Sequence, residues 1–285
     1  MKTILKVDYV VLKVFNNNII LANNNGKEKI LFEKGIGFGK KVGEIIKKGT
    51  EIDKIFTIEN QFNVQNFNEI VSKNDEKFLA LCEEIIYDIS NKLGEDLSEN
   101  IHIGLTEHIS FAIKRLNNNE EIQNPFLIEI QTLYPQEFEL AKEAAIKIKN
   151  STGVLMPDGE VGFIALHIHS ARNNGKLSNT IKYSYIGNKI TEYVEKELNI
   201  VIDKTSLDYA RFLTHMRFAI ERIMKKSLIK NDLLNIIKES YPKSYLVAEK
   251  VAKILENELE VKVVEDEVAY IAMHIQRFRV SVENN

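Results

Sequence analysis

The chain has 285 residues, a hydrophobic fraction of 44% and one cysteine. Those totals fit a soluble globular protein of two or three domains. They exclude a disulfide framework, and no apolar run approaches the ~20 residues of a membrane helix. The N-terminus lacks a secretory leader pattern, so a cytoplasmic location without membrane insertion is expected. The net charge of −3 hides a split: residues 1–60 hold eleven lysines against seven acidic residues, and the remainder is net acidic. That asymmetry suggests a nucleic-acid-facing head on acidic domains.

The head reads as short strands and turns. Tyr9–Phe15 is rich in β-branched and aromatic residues. Asn16-Asn17-Asn18 follows as a turn, since asparagine tolerates positive φ. Ile19–Ala22 is a second strand, and Asn25-Gly26 marks a hairpin before a third strand, Lys27–Phe32. Lys34–Lys41 is a glycine-rich basic loop, and Ile52–Ile58 closes the head as one last strand. A sheet of ~60 residues has little core of its own, so pairing with a second copy is expected. Residues 59–74 are polar and lack a clear period, as a linker would.

Everything after is helical. Phe78, Leu81, Cys82, Ile85, Ile86, Ile89 and Leu93 follow the spacing of an amphipathic helix. Cys82 lies in that apolar row and reads as a buried, inert thiol. A second helix carries Ile109, Ala112, Ile113 and Leu116 on one stripe. Pro135 and Pro242 each stand just before a helix, where proline is tolerated. Asp158 and Gly159 precede another. Asn173-Asn174-Gly175 breaks the chain, after which Ile186, Ile190, Tyr193 and Val194 begin a new stripe.

That break separates two copies of one unit. Glu160-Val-Gly-Phe-Ile-Ala-Leu-His167-Ile and Glu267-Val-Ala-Tyr-Ile-Ala-Met-His274-Ile are identical at six of nine positions, offset by 107 residues. His108–Arg115 matches His215–Arg222, and Tyr134-Pro135 matches Tyr241-Pro242, at the same offset. Each copy is thus a bundle of about five helices with two equivalent histidines. The expected architecture is a small antiparallel all-β N-terminal domain (1–60), a linker (61–74) and two homologous all-α bundles (75–176 and 177–285).

His102 and His169 fall outside the repeat and read as surface or satisfied polar residues. For the four repeated histidines, metal binding fits poorly. His167 and His169 point in opposite directions on a helix, and there is no His-Glu-x-x-His or cysteine cluster. Acyl-transfer catalysis lacks a Gly-x-Ser-x-Gly motif. A core histidine copied by duplication is the plain alternative. The chemical reading is phosphorylation: neutral imidazole is a nucleophile near pH 7, and the product adds close to two negative charges. Arg115 and Arg222, two turns beyond His108 and His215, are candidates to neutralise that phosphate; the duller role is a surface salt bridge.

These residues resemble the transcriptional antiterminators of the BglG/LicT/SacY type. The resemblance is carried by Lys13-Val14-Phe15-Asn16-Asn17-Asn18, by Gly35-Ile36-Gly37-Phe38 with Lys40-Lys41, and by the paired Glu/Thr-His and Ala-Leu/Met-His-Ile motifs. It implies a co-antiterminator RNA-binding domain followed by two phosphotransferase-system regulation domains, a regulator and not an enzyme, without cofactor or metal. It further implies a homodimer that binds an RNA hairpin overlapping a terminator, through Lys13, Asn18, Lys34, Gly35 and Phe38. His108, His167, His215 and His274 would accept phosphate from the histidine phosphocarrier protein and a sugar-specific permease. In that family, modification of the first domain usually inhibits and that of the second usually activates. One departure is Glu33, where the family usually has glycine; an acid there would repel RNA unless it points away. Two rival readings are a DNA-binding activator, which needs a helix-turn-helix head, and a phosphotransfer enzyme, whose only candidate phosphate loop is Gly35–Gly39.

Overall fold

A computed structural model describes residues 2–173, 177–227 and 229–283. The head forms strands β1 (Thr3–Ile4), β2 (Tyr9–Asn16), β3 (Ile19–Asn24), β4 (Lys27–Phe32), β5 (Ile45–Ile46), β6 (Glu51–Ile52) and β7 (Lys54–Ile58). Five make an antiparallel sheet in the order β5-β2-β3-β4-β7, and β1 pairs with β6. Asn25 (φ 50°) and Gly26 (φ 82°) supply the two left-handed positions of the β3–β4 hairpin. The expected last strand is broken at Asp53. Its N–H reaches the Phe32 carbonyl (3.0 Å), and its carboxylate accepts from the Tyr87 hydroxyl. The segment therefore changes partner, from β1 to β4.

The sheet is covered on both faces, which explains why Ile19–Ala22 is apolar without alternation. Leu5, Tyr9, Val11, Ile20, Leu31, Ile46 and Ile52 form the head's own core. On the other face, Phe32 stacks on Tyr87 at 4.8 Å, and Phe56 meets His102 edge-on at 4.9 Å. Both partners come from the helical region.

The supposed linker folds as helix α1 (Gln61–Lys73). The Asn60 side chain accepts from the Phe62 N–H (2.9 Å) as its N-cap. Asn63, Phe67, Ile70 and Val71 are buried. Their spacing of four, three and one is a helical stripe, narrow enough to be hidden among asparagines and glutamines.

Helices α2 (Glu76–Leu93), α3 (Asn100–Asn117), α4 (Leu127–Leu133), α5 (Pro135–Thr152) and α6 (Asp158–Arg172) make the first copy. Helices α7 (Leu177–Leu198), α8 (Leu207–Met224), α9 (Leu234–Ser240), α10 (Pro242–Leu259) and α11 (Glu265–Glu283) make the second. Asp158 and Gly159 lie inside the first turn of α6. Asn174 and Gly175, of the expected break, lie outside the described residues.

The chain divides into two compact units, Met1–Asn124 with Gln136–Lys176, and Pro125–Pro135 with Leu177–Asn285. The five helices of the first copy therefore do not pack as one bundle: α4 packs with α7 and α8 in the second unit. Buried Glu129 of α4 accepts from the Tyr209 hydroxyl at 2.6 Å, and Phe126 lies edge-on to Tyr185. A buried carboxylate needs such a partner, and the partner is on α8.

Candidate functional site: two histidine pairs and a basic loop

The repeat places its histidines on facing helices. His108 of α3 and His167 of α6 come together with ring centroids 5.2 Å apart. His215 of α8 and His274 of α11 stack at 4.3 Å. Four residues spread over 167 positions thus collapse into two equivalent pairs.

Each pair has a buried carboxylate beyond it. Glu160, seven residues before His167 and on the same helical face, is wholly buried. Arg115 Nη2 donates to its Oε1 at 2.7 Å, and His108 Nε2 lies 3.1 Å from Oε2. In the second copy, Arg222 donates through Nε and Nη2 to both oxygens of Glu267, each at 2.7 Å. Arg115 and Arg222 are therefore neither free for a phosphate nor simple surface pairs: Arg222 engages both oxygens of its buried acid, whereas Arg115 engages one and leaves Glu160 Oε2 towards His108. Glu160 and Glu267 open the nine-residue repeat, so their retention in both copies was the signal that sequence reading passed over.

One ring of each pair is held neutral at physiological pH. Burial, then the neighbouring His108, brings the His167 imidazole down to about 3. Burial, then His215 and Arg277, brings His274 down to about 4, with Asp208 opposing. A neutral ring keeps a lone pair for attack. Burial alone would raise the Glu160 carboxyl, but the His108 and Arg115 contacts outweigh it and hold it below the usual range. Among the described residues no group of three or more histidine, cysteine or acidic ligands could hold a metal.

The two pairs differ in access. His108 keeps 15% of its side-chain surface and lies against Glu160, whereas His215 is exposed. Gly104 stands beside the first pair: a Cβ there would be 3.2 Å from His167 Nδ1. The two unrepeated histidines are satisfied structurally. His102 is fully buried, with Nδ1 2.8 Å from Glu83, and is no surface residue; His169 Nδ1 lies 3.0 Å from Glu137. Burial pushes the Cys82 thiol well up, which leaves it inert.

In the head, the β2–β3 turn and the Lys34–Lys41 loop are joined. Asn18 Oδ1 accepts from the Gly35 N–H at 3.0 Å, and the Gly37 N–H donates to the Asn17 carbonyl at 2.9 Å. Gly35 has φ 77°, and a Cβ on Gly37 would sit 2.2 Å from the Asn16 carbonyl oxygen. Both positions therefore require glycine. The loop carries Phe38 at 75% exposure beside exposed Lys34. Lys13 is engaged elsewhere, its ammonium donating to the Val71 carbonyl of α1 at 3.0 Å. Glu33 turns to Lys2 at 2.7 Å. The N–H groups of Ile36, Gly37, Phe38 and Lys40 donate to backbone carbonyls, which leaves no phosphate cradle for the enzyme reading. The described residues before Asn60 include no helix, so a helix-turn-helix head is excluded. No helix among the described residues is long and apolar enough to cross a membrane.

Comparison with known proteins agrees with this layout. Residues 9–65 match the CAT RNA binding domain, and residues 83–171 and 188–278 match the PRD domain. The transcription antiterminator LicT of Bacillus subtilis (strain 168) is 35% identical over 271 residues, covering 94% of this chain and 98% of LicT. Protein GlcT of Staphylococcus aureus (strain bovine RF122 / ET3-1) is 33% identical over 281 residues, covering 98% of this chain and 99% of GlcT. The crystal structure of GlcT CAT-PRDI is similar with a TM-score of 0.50 and 42% identity, covering 59% of this chain and 99% of that one. A sheet head with a braced basic loop, two matched helical modules and relatives of almost equal length place the chain in the family of transcription antiterminators built from a CAT RNA binding domain and two PRD domains.

Proposed function

We propose that this protein is a dimeric antiterminator that grips an RNA hairpin through its head and is switched by phosphorylation of its paired histidines. The observation that carries the switch is the pairing itself: in each copy two imidazoles face each other, and in each pair one ring is held neutral well below pH 7. The division proposed is a head (1–60), a connecting segment (61–74) that holds α1, and regulation domains at 75–176 and 177–285.

In the head, Lys34 offers charge to RNA phosphates and Phe38 a face for an unpaired base. Gly35 lets the RNA backbone approach, and Asn18, its oxygen used on Gly35, keeps its NH2 for a base edge. Lys13 joins them on release from Val71. The second copy of the chain covers the exposed apolar strip of Val10, Leu12, Val42 and Ile45. Two heads on one hairpin raise affinity through effective concentration.

The phosphoryl donors are the histidine phosphocarrier protein and a sugar-specific permease, acting on His108, His167, His215 and His274. In each transfer a ring nitrogen lone pair attacks phosphorus and the donor's P–N bond breaks, its electron pair returning to the donor ring. The acceptor's other N–H releases a proton, and the donor ring takes one up. No metal or cofactor takes part.

The test is hairpin binding by the full chain, with and without prior phosphorylation. Phe38→Ala is expected to weaken binding at least about five-fold, since stacking contributes ~1–3 kcal/mol per base, while circular dichroism stays unchanged. Binding that is indifferent both to Phe38 and to phosphorylation would overturn the proposal.

A further inference from the structure

Arg115 and Arg222 are committed to carboxylates, so a phosphate on the histidines needs other cations. The second copy has them. Arg211 stands four residues before His215 on α8, and Arg277 three residues after His274 on α11. Both spacings keep residues on one helical face. The two guanidinium groups share a single acid loosely: Arg211 Nη1 is 3.6 Å from Asp208 Oδ1, and Arg277 Nη1 is 4.0 Å from the same atom. Both arginines are more than half exposed, at 56% and 55% of their side-chain surface. Arg277 and Asp208 also border a 510 Å³ cavity with Met273, Gln276 and Val280, which opens the face of α11 that follows His274.

The first copy has no arginine at the equivalent positions. At the same offset, Asp208, Arg211 and Arg277 correspond to Ile101, Gly104 and Ser170. Ile101 and Ser170 are buried, and Gly104 lies against the His167 ring. A phosphate arriving there meets the Glu160 carboxylate beside His108. In the second copy both oxygens of the matching acid are held by Arg222.

We propose that Arg211 and Arg277 form a phosphoryl-binding site in the second helical copy, which captures the group carried on His215 or His274 and displaces Asp208. This rests on the phosphohistidine reading above and adds which residues hold the product. The incoming group carries close to two negative charges. Guanidinium groups bind such oxygens in pairs, whereas their present hold on Asp208 is long and shared. The exchange trades two long contacts to one shared oxygen for two short charge-assisted ones. The first copy gains nothing equivalent, so a phosphate there is held less firmly.

The experiment uses the full chain and phosphoramidate, a small donor that needs no docking surface. Its P–N bond breaks, its nitrogen leaves as ammonia with the acceptor's proton, and the phosphohistidine formed is located by peptide mass spectrometry. The rate of phosphohistidine loss is then followed by 31P NMR. Arg211→Gln with Arg277→Gln is expected to speed loss from the second copy about five-fold, a modest effect because the groups are exposed, and to leave the first copy unchanged. Asp208→Asn, which frees both arginines, is expected to slow loss, and Arg277→Lys to restore part of it. A merely structural role would not reverse sign at Asp208. Phosphohistidine in the second copy that decays equally fast in all variants overturns this site and leaves the switch standing. A wild-type chain that takes up no phosphoryl group on any of the four histidines overturns both.

Discussion

The two regulation modules share a helix order, an aligned repeat and a buried acid–arginine pair, yet they set their histidines in different electrostatic surroundings. In the first, His108 is mostly covered, Gly104 leaves no room for a Cβ beside His167, and a buried acid oxygen lies 3.1 Å from His108. In the second, His215 is open to solvent, two exposed arginines flank the pair, and the matching acid is fully engaged by Arg222. Both copies keep the histidine pair and the acid–arginine contact beside it. The charges at the rim differ, and under the phosphorylation proposed above those charges decide how a dianion is received.

The largest expected effect is a difference in labelling by a small phosphoryl donor. The second pair should be modified faster than the first by about ten-fold, from better access and one less repelling charge. His215→Ala with His274→Ala should remove most early label, and His108→Ala with His167→Ala should remove little. Equal rates at the two pairs would erase the contrast.

Next in size is the effect of the acids. Glu160→Gln removes the carboxylate oxygen that Arg115 leaves facing His108 and should raise labelling of the first pair roughly three-fold. Glu267→Gln should leave the second pair within about two-fold, because Arg222 already cancels that charge. If both variants respond alike, the carboxylates are structural only.

Acid sensitivity sharpens the comparison further. His167 is held to about 3 and His274 to about 4, both below the ~6.5 of an unfolded chain. Between pH 6.5 and 4 the unfolded state takes up protons that the folded rings refuse, so stability falls as pH falls. Each ring contributes up to ~1.4 kcal/mol of loss per pH unit. His167→Gln and His274→Gln should relieve that loss equally down to pH 4. Below pH 4 only His167→Gln should continue to help, since His274 then titrates in the folded state. Urea midpoints across that range give the answer, and a pH-independent midpoint would mean that neither ring is held neutral.

Much of this layout is legible in the residues, and the gaps have physical causes. Strands β2, β3 and β4 follow from β-branched runs and an Asn-Gly turn, which are local signals. The break at Asp53 is not local: it depends on the Tyr87 hydroxyl, 34 residues away. Helix α1 was hidden because only four of its thirteen residues are buried, one of them Asn63. Where α4 docks on α8, a buried acid meets a tyrosine and Lys204, a long-range match that no periodicity announces. The histidine pairs were found because repetition marks what two copies share. The same method is blind to Arg211 and Arg277, where the copies differ.

The smallest effect is the most local. Gly104 and Arg211 occupy equivalent helix positions, so exchanging them toward alanine tests what each copy needs there. Gly104→Ala gains ~1 kcal/mol of helix propensity. Its new Cβ, however, meets the His167 ring at 3.2–3.3 Å, and that ring must shift by a few tenths of an ångström. His167 is backed by His108 at 5.2 Å, so the shift is resisted. The two terms nearly cancel, and the net change in stability should stay within ~1 kcal/mol. The imidazole resonances of His167 should nonetheless move in NMR spectra, while those of His274 stay in place. Arg211→Ala adds no atom to its helix position and should change stability by no more than a few tenths of a kcal/mol and leave the ring resonances in place. A Gly104→Ala chain that gains the full propensity with unmoved His167 resonances would show that the ring has room to spare, and the tightness of the first pair would no longer distinguish it from the second.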